Sequence, residues 1–250
     1  MNADAARDRN GWVHPATVWI AQGPPDPAAA ASPLLSAAER ELLSGRRRQG
    51  DRDRSATARV LLKGLLARDF GIEPASVHLP AGTAPEDKPV LRYVRGGRPV
   101  EQLRASVSHA QGHVLVAVTD GPAIGVDVEA HASTAFAGFD NIALSAAERE
   151  WVAGLPASRR GMARADFWVR KEALLKATGV GLRQDPARLC FASPDAWTAS
   201  QQPLQRLTVQ LVPTGAGHSA AVCVTGVATL LLRGNSGDLR PGQTPHIITS

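Results

Sequence analysis

L35-SAAERE-41 recurs residue for residue as L144-SAAERE-150, 109 positions further along the 250-residue chain. Each copy opens a helix in the same way. A serine (Ser36, Ser145) stands three residues ahead of a glutamate (Glu39, Glu148), the capping box that satisfies free N–H groups at a helix start. One such repeat can arise by chance in a sequence rich in Ala, Glu and Arg. A second echo, G112-HVLVAVT-119 with G217-HSAAVCVT-225 at an offset of 105, points instead to two related α+β halves joined near 120–123.

Outward from the repeat, A16-TVWIA-21 reads as a strand, followed by the Pro/Ala-rich connector Q22-GPPDPAAAASP-33. A helix over about 56–70 carries Val60, Leu61, Leu65 and Leu66 at helical spacing and ends at Gly71. H113-VLVAVT-119 and A123-IGVDVE-129 are consecutive strands across a turn at Asp120, Gly121 and Pro122. Beyond them come a helix over about 158–178 ending at Gly179, then strands at 189–192, 207–212 and 219–224. The division that results is 1–120, 121–232 and a Gly/Pro-rich tail, 233–250, whose lack of periodicity predicts mobility.

At 44% hydrophobic the chain can bury a substantial core. No run of about 18 apolar residues is present to span a bilayer. The start MNADAARDRNGW lacks the basic-then-apolar order of a secretory leader, so a cytoplasmic protein is expected. Cys190 and Cys223 lack paired metal spacing and fall in apolar segments, as reduced core residues do. A net charge of +5 suggests an acidic partner. Arg46, Arg47, Arg48, Arg52, Arg54 and Arg59 form the densest basic patch. No zinc-finger spacing or aromatic RNA-binding signature accompanies it, and one Tyr and five Phe offer little for base stacking, so no nucleic-acid partner is expected.

Chemistry concentrates in I124-GVDVE-129 and F167-WVRKEALLK-176. On a strand, Asp127 and Glu129 leave one face while Val126 and Val128 enter a core. On a helix, Trp168, Glu172 and Lys176 stack along one face, with Lys171 beside them. A lone Asp-x-Glu is usually a solvated face, and a Glu–Lys pair four apart is usually helix support worth about 0.2–0.5 kcal/mol. Lysine usage argues for more. Of 28 basic residues only Lys63, Lys88, Lys171 and Lys176 are lysines, and two of them sit here. Lysine is also the basic side chain whose pKa moves enough to trade a proton. Three acids and two lysines suit a divalent cation and a phosphate.

Taken in order, G125-VDVE-129, W168-VRKEALLK-176 and G179-VGL-182 resemble the motif series of the Sfp-type 4′-phosphopantetheinyl transferases. S106-VSHA-110 resembles the family's N-[IF]-S-H, Asp87-Lys88-Pro89 its G-K-P, and I142-ALSAAE-148 the segment between the two main motifs. The resemblance covers roughly residues 14–225; Ser106 stands where the family often has Asn, and Asp87 where it often has Gly. It implies a monomer of two pseudo-symmetric α+β halves, each a small antiparallel sheet with a packed helix. The active site then lies in the cleft between a nucleotide-recognising first half and a second half with the metal and the catalytic helix.

The implied reaction moves the phosphopantetheine arm of coenzyme A to a serine of an apo acyl or peptidyl carrier protein and releases adenosine 3′,5′-bisphosphate. It uses magnesium, which manganese can replace. Asp127, Glu129 and Glu172 are the implied metal ligands. Glu172 is also the implied base, directly or through water, Lys176 serves the leaving phosphate, and Lys171 adds positive charge. Arg54, Lys88, Pro89, Ser108, His109 and Lys176 line the implied coenzyme A groove, with His109 at the 3′-phosphate. Phe167, Trp168 and Leu174 are expected in the core. Carrier proteins are usually acidic, which suits the basic surface. Two readings compete: a nucleic-acid binder using Arg46–Arg59, and a non-catalytic coenzyme A or carrier-binding protein. The intact set Asp127, Glu129, Glu172 and Lys176 weighs against the second.

Overall fold

The computed structural model describes residues 16–77, 93–95, 98–100, 103–191, 207–226, 228–233 and 246–248. Its first half contains β1 (Ala16–Gly23), α1 (Ala37–Ser44), α2 (Gln49–Phe70), a small hairpin β2 (Tyr93–Arg95) and β3 (Arg98–Val100), then β4 (Leu103–Ala110) and β5 (His113–Asp120). Gly121, at φ +92°, turns the chain into β6 (Ile124–Ala130). There follow α3 (Phe139–Ala143), α4 (Ala146–Ala153), α5 (Ala157–Thr178), β7 (Leu207–Leu211), β8 (His218–Thr225), β9 (Ala228–Arg233) and β10 (His246–Ile248).

Both copies of LSAAERE do what their spacing predicts. Ser36 and Ser145 accept from the amides of Glu39 and Glu148, whose carboxylates accept in return from the serine amides, opening α1 and α4. Each short helix leads to a 22-residue one, α2 or α5, ended by a left-handed glycine, Gly71 or Gly179. The start of α2 lies earlier than the expected 56, because Arg48 supplies no side-chain cap that a sequence could advertise. Those added turns carry Arg52 and Arg54.

In each half three strands run antiparallel: β4, β5 and β1 in one, β7, β8 and β6 in the other. The fold is α+β in four layers. α2 packs on one face of the first sheet through Leu61, Leu62, Leu65 and Leu66 against Leu103, Val114, Val116 and Val118. α5 packs on the second sheet through Phe167, Val169, Ala173 and Leu174 against Ala221 and Cys223. Between the sheets Val18, Ile20, Leu115 and Ala117 meet Val126, Val128, Ala220 and Val222. Alternate residues of β5 and β8 therefore enter two different cores, which is why both strands read as continuous apolar runs.

Three features depart from expectation. β9 begins within 121–232 and ends at Arg233 but hydrogen-bonds in parallel to β1 of the first sheet, Trp19 opposite Leu231. β10, within the stretch expected to be mobile, pairs antiparallel with β9. Residues 189–191 form no strand, because the Phe191 amide is taken by the Glu148 carboxylate at 2.7 Å instead of by a neighbouring strand. Among the described residues no helix is long and apolar enough to cross a membrane.

Candidate functional site

The two sheets meet edge to edge where β4 runs beside β6. No ladder joins them; serine side chains do. Ser106 Oγ accepts from the Val126 amide at 3.0 Å, and Ser108 donates to Asp127 Oδ1 at 2.7 Å. An open strand edge is thereby partnered by hydroxyls of the other half. Gly125 lets α5 come down on β6: a Cβ there would lie 2.1 Å from the Ala173 carbonyl oxygen and 2.4 Å from the Ala177 nitrogen. That close approach brings the acids of β6 under the polar face of α5.

Asp127, buried to 6% exposure, accepts from Lys176 Nζ at 2.6 Å as well as from Ser108. Lys176 also donates to Ser108 at 3.2 Å. Glu129, half-buried, accepts from the Ala130 amide at 2.9 Å. Glu172 faces both acids. Burial first, then the charges of Asp127 and of Glu129, push its carboxyl above the ordinary glutamate value, opposed by Lys176. Its Oε1 is buried without a hydrogen-bond partner among the described residues. A buried carboxylate oxygen with no donor beside two other acids is an unsatisfied arrangement that a cation would complete. As they stand, no three acid, imidazole or thiol groups among the described residues are already gathered about one point as metal ligands. Asp127 is engaged by Lys176 and Glu129 by its neighbouring amide.

Lys171 lies elsewhere, correcting the expectation that it adds charge at this site. One residue on along a helix turns a side chain by about 100°, and Lys171 points into the second core with no exposure, 2.5 Å from Glu148 Oε2 and 2.7 Å from the Ala143 carbonyl. Burial lowers its pKa, opposed by that carboxylate. Lys63 repeats the arrangement in the first half, 2.6 Å from Glu39 Oε2 and 1% exposed. Two lysines are thus part of the folding pattern of the repeat. Trp168 is partly buried on the second core, edge-on to Phe139 at 5.9 Å, while Phe167 and Leu174 are buried in it.

At the end of β4, His109 lies within electrostatic reach of Lys176 and Arg54 at the same junction of the halves. Loss of water on its protein side, then the charges of Arg54, Lys176 and Arg46, hold its imidazole below the ordinary histidine range, although part of the residue faces solvent. Arg54 is paired with Asp51 on its own helix. Arg46, not distinguished from its neighbours by sequence, faces this corner with its Nε buried and unpartnered among the described residues, whereas Arg47 and Arg48 are exposed. The identity of one arginine in a run of three is invisible until the helix start is fixed. Lys88 and Pro89 lie outside the described residues.

The junction thus joins a cluster of three acids and one lysine from the second half to a histidine and two arginines from the first. Such a site can hold a cation at one end and an anion at the other. No curated protein matches the chain. Residues 123–228, the stretch that carries Asp127, Glu129, Glu172 and Lys176, match the model of the 4′-phosphopantetheinyl transferase superfamily, which supports a transferase of that general kind.

Proposed function

We propose that the protein transfers the 4′-phosphopantetheine group of coenzyme A to a serine of an apo acyl or peptidyl carrier protein, with a divalent cation, releasing adenosine 3′,5′-bisphosphate, and that it is a transferase of the Sfp type. The observation that carries this reading is the juxtaposition of Glu172, its buried Oε1 unpartnered, with Asp127, Glu129 and Lys176. Asp127, Glu129 and Glu172 are the residues that would hold magnesium, which when bound supplies neutralisation of the pyrophosphate charge.

The chain's own residues do the rest. The carrier serine Oγ attacks the phosphorus next to the pantetheine arm; the bond from that phosphorus to the bridging oxygen breaks, and adenosine 3′,5′-bisphosphate leaves with the electron pair. Glu172, beside the acids of β6 and within the same cluster as Lys176, takes the serine proton directly or through water. Lys176 exchanges Asp127 for the leaving phosphate and stabilises its charge. His109, Arg54 and Arg46 supply positive charge for the 3′-phosphate at the first half's corner; Lys88 and Pro89 belong to the same groove by resemblance. The Ser108 hydroxyl, between Lys176 and Asp127, sets the direction of both.

The test is mass spectrometry of apo carriers incubated with the protein, coenzyme A and magnesium. A gain of about 340 Da, the mass of the transferred group, is expected on at least one carrier. No gain across acyl and peptidyl carriers would sink the reading. Retained turnover in Asp127→Ala or Glu172→Ala would move the site elsewhere.

A further inference from the structure

Ser219 on β8 stands directly across from Glu129 on β6. Directly opposed residues leave the sheet on one face with Cβ atoms about 4.5–5.5 Å apart, within reach of a hydroxyl–carboxylate hydrogen bond. Ser219 does not make that bond. It donates to Asp166 Oδ1 at 2.5 Å, and its oxygen lies 3.0 Å from His131 Nε2. A serine hydroxyl has one hydrogen. With that hydrogen on Asp166, His131 must be the donor to Ser219, which fixes its Nε2–H tautomer. The ring is held in place from its own backbone, whose amide donates to the Gly217 carbonyl at 2.8 Å. Asp166 sits on α5 six residues before Glu172 and is attracted by Arg170.

The hydroxyl that faces Glu129 across the strands is therefore already spent. We propose that Asp166 is a positioning residue that keeps Glu129 available to a cation by occupying the Ser219 hydrogen. Without Asp166, Ser219 turns to the nearest carboxylate on its face, that of Glu129, and draws it against the sheet and away from Asp127 and Glu172. Residues one shell out from metal ligands change metal affinity by about 10–100-fold when altered, by steering the ligand rather than touching the ion.

The inference rests on the cation site proposed above, and the experiment separates the two. Manganese binding to the full-length protein is measured by electron paramagnetic resonance, without coenzyme A or carrier. Wild-type protein is expected to bind and Asp127→Ala to lose binding; if the wild type does not bind, or Asp127→Ala binds as well, the cation site itself fails and the inference with it. With that site established, Asp166→Ala is expected to weaken binding about 10-fold. Adding Ser219→Ala to Asp166→Ala is expected to restore it to within about twofold, since the competing donor is gone; coupling of this sign is what a double-mutant cycle resolves. Asp166→Asn, whose carbonyl oxygen still accepts from Ser219, is expected to bind as the wild type and serves if the alanine variant fails to fold. A double variant no better than Asp166→Ala, or an Asn variant as weak as an Ala variant, overturns the role. So does unaltered binding in Asp166→Ala, which would mean that His131 changes tautomer and takes the hydrogen.

Discussion

Lys171 Nζ and Glu148 Oε2 lie 2.5 Å apart with neither side chain exposed, one on the helix that carries Glu172 and the other at the start of the helix opened by the repeat. Glu148 also accepts from the Ser145 amide and from the Phe191 amide, each at 2.7 Å. One carboxylate therefore ties a helix start, the site helix and the segment after it. Removing one partner of a buried pair leaves an uncompensated charge, which costs about 3–5 kcal/mol. Lys171→Met should lose stability of that order in urea unfolding, and Glu148→Ala more, because two backbone amides lose their acceptor as well. If Lys171→Met keeps its stability and loses only turnover, the residue belongs to the chemistry after all.

Gly125→Ala should be among the most damaging substitutions of its size. Its Cβ would meet backbone atoms of α5 at 2.1–2.4 Å, so the helix must lift, and overpacking of this kind costs about 1–3 kcal/mol or more. Because the lift also separates Glu172 from Asp127, turnover should fall further than the loss of folded protein measured by thermal melting. A variant with wild-type melting and turnover would show that the two elements do not approach this closely.

Ser106→Ala removes the acceptor from the Val126 amide at the edge of β6. A buried amide left without a partner costs about 1–3 kcal/mol. Hydrogen exchange should report it locally: the Val126 amide should lose protection while those of β8, paired on the other side, keep theirs. Equal exchange in variant and wild type would mean that water replaces the serine at no cost.

Acid should weaken the protein through the junction of the halves. His113 is buried, 3.1 Å by Nε2 from Gln22 Oε1 and 5.5 Å ring to ring from His218. Burial, then the charge of His218, holds its pKa below the ordinary histidine value of 6.5. The unfolded chain then binds protons that the folded one resists, so this contribution is full above 6.5 and is lost as pH falls through the depressed folded value. His109, lowered likewise, adds to the same loss. His113→Gln should flatten part of the decline below pH 6.5 in urea unfolding; an unchanged profile would remove His113 from the account.

Local order carried far in the sequence. The capping boxes, the strands β5 and β8, and the alternation that sends Val126 and Asp127 to opposite faces of β6 all follow from spacing alone, and all appear as read. The misplacement of Lys171 has a physical origin: neighbours on a helix diverge by about 100°, and the carboxylate that captured it is 23 residues away. The same limit applies to Asp166, Ser219 and His131, which meet only because β6, just before His131, pairs with β8 and α5 packs over both. Nothing in A228-TLLLR-233 says that it will cross to the other half, since a parallel partner more than 200 residues distant leaves no local mark.

That crossing has a consequence for how the protein is made. β1 is made before β5, which can pair with one of its flanks as soon as it follows. Its other flank is filled by β9, which ends at Arg233. Throughout synthesis of the second half, then, the first half presents an unpaired strand edge of the kind that recruits a neighbouring chain. The two halves resemble one another as finished objects, but in time they are unequal: the first waits, incomplete, for the second to hand back its closing strand.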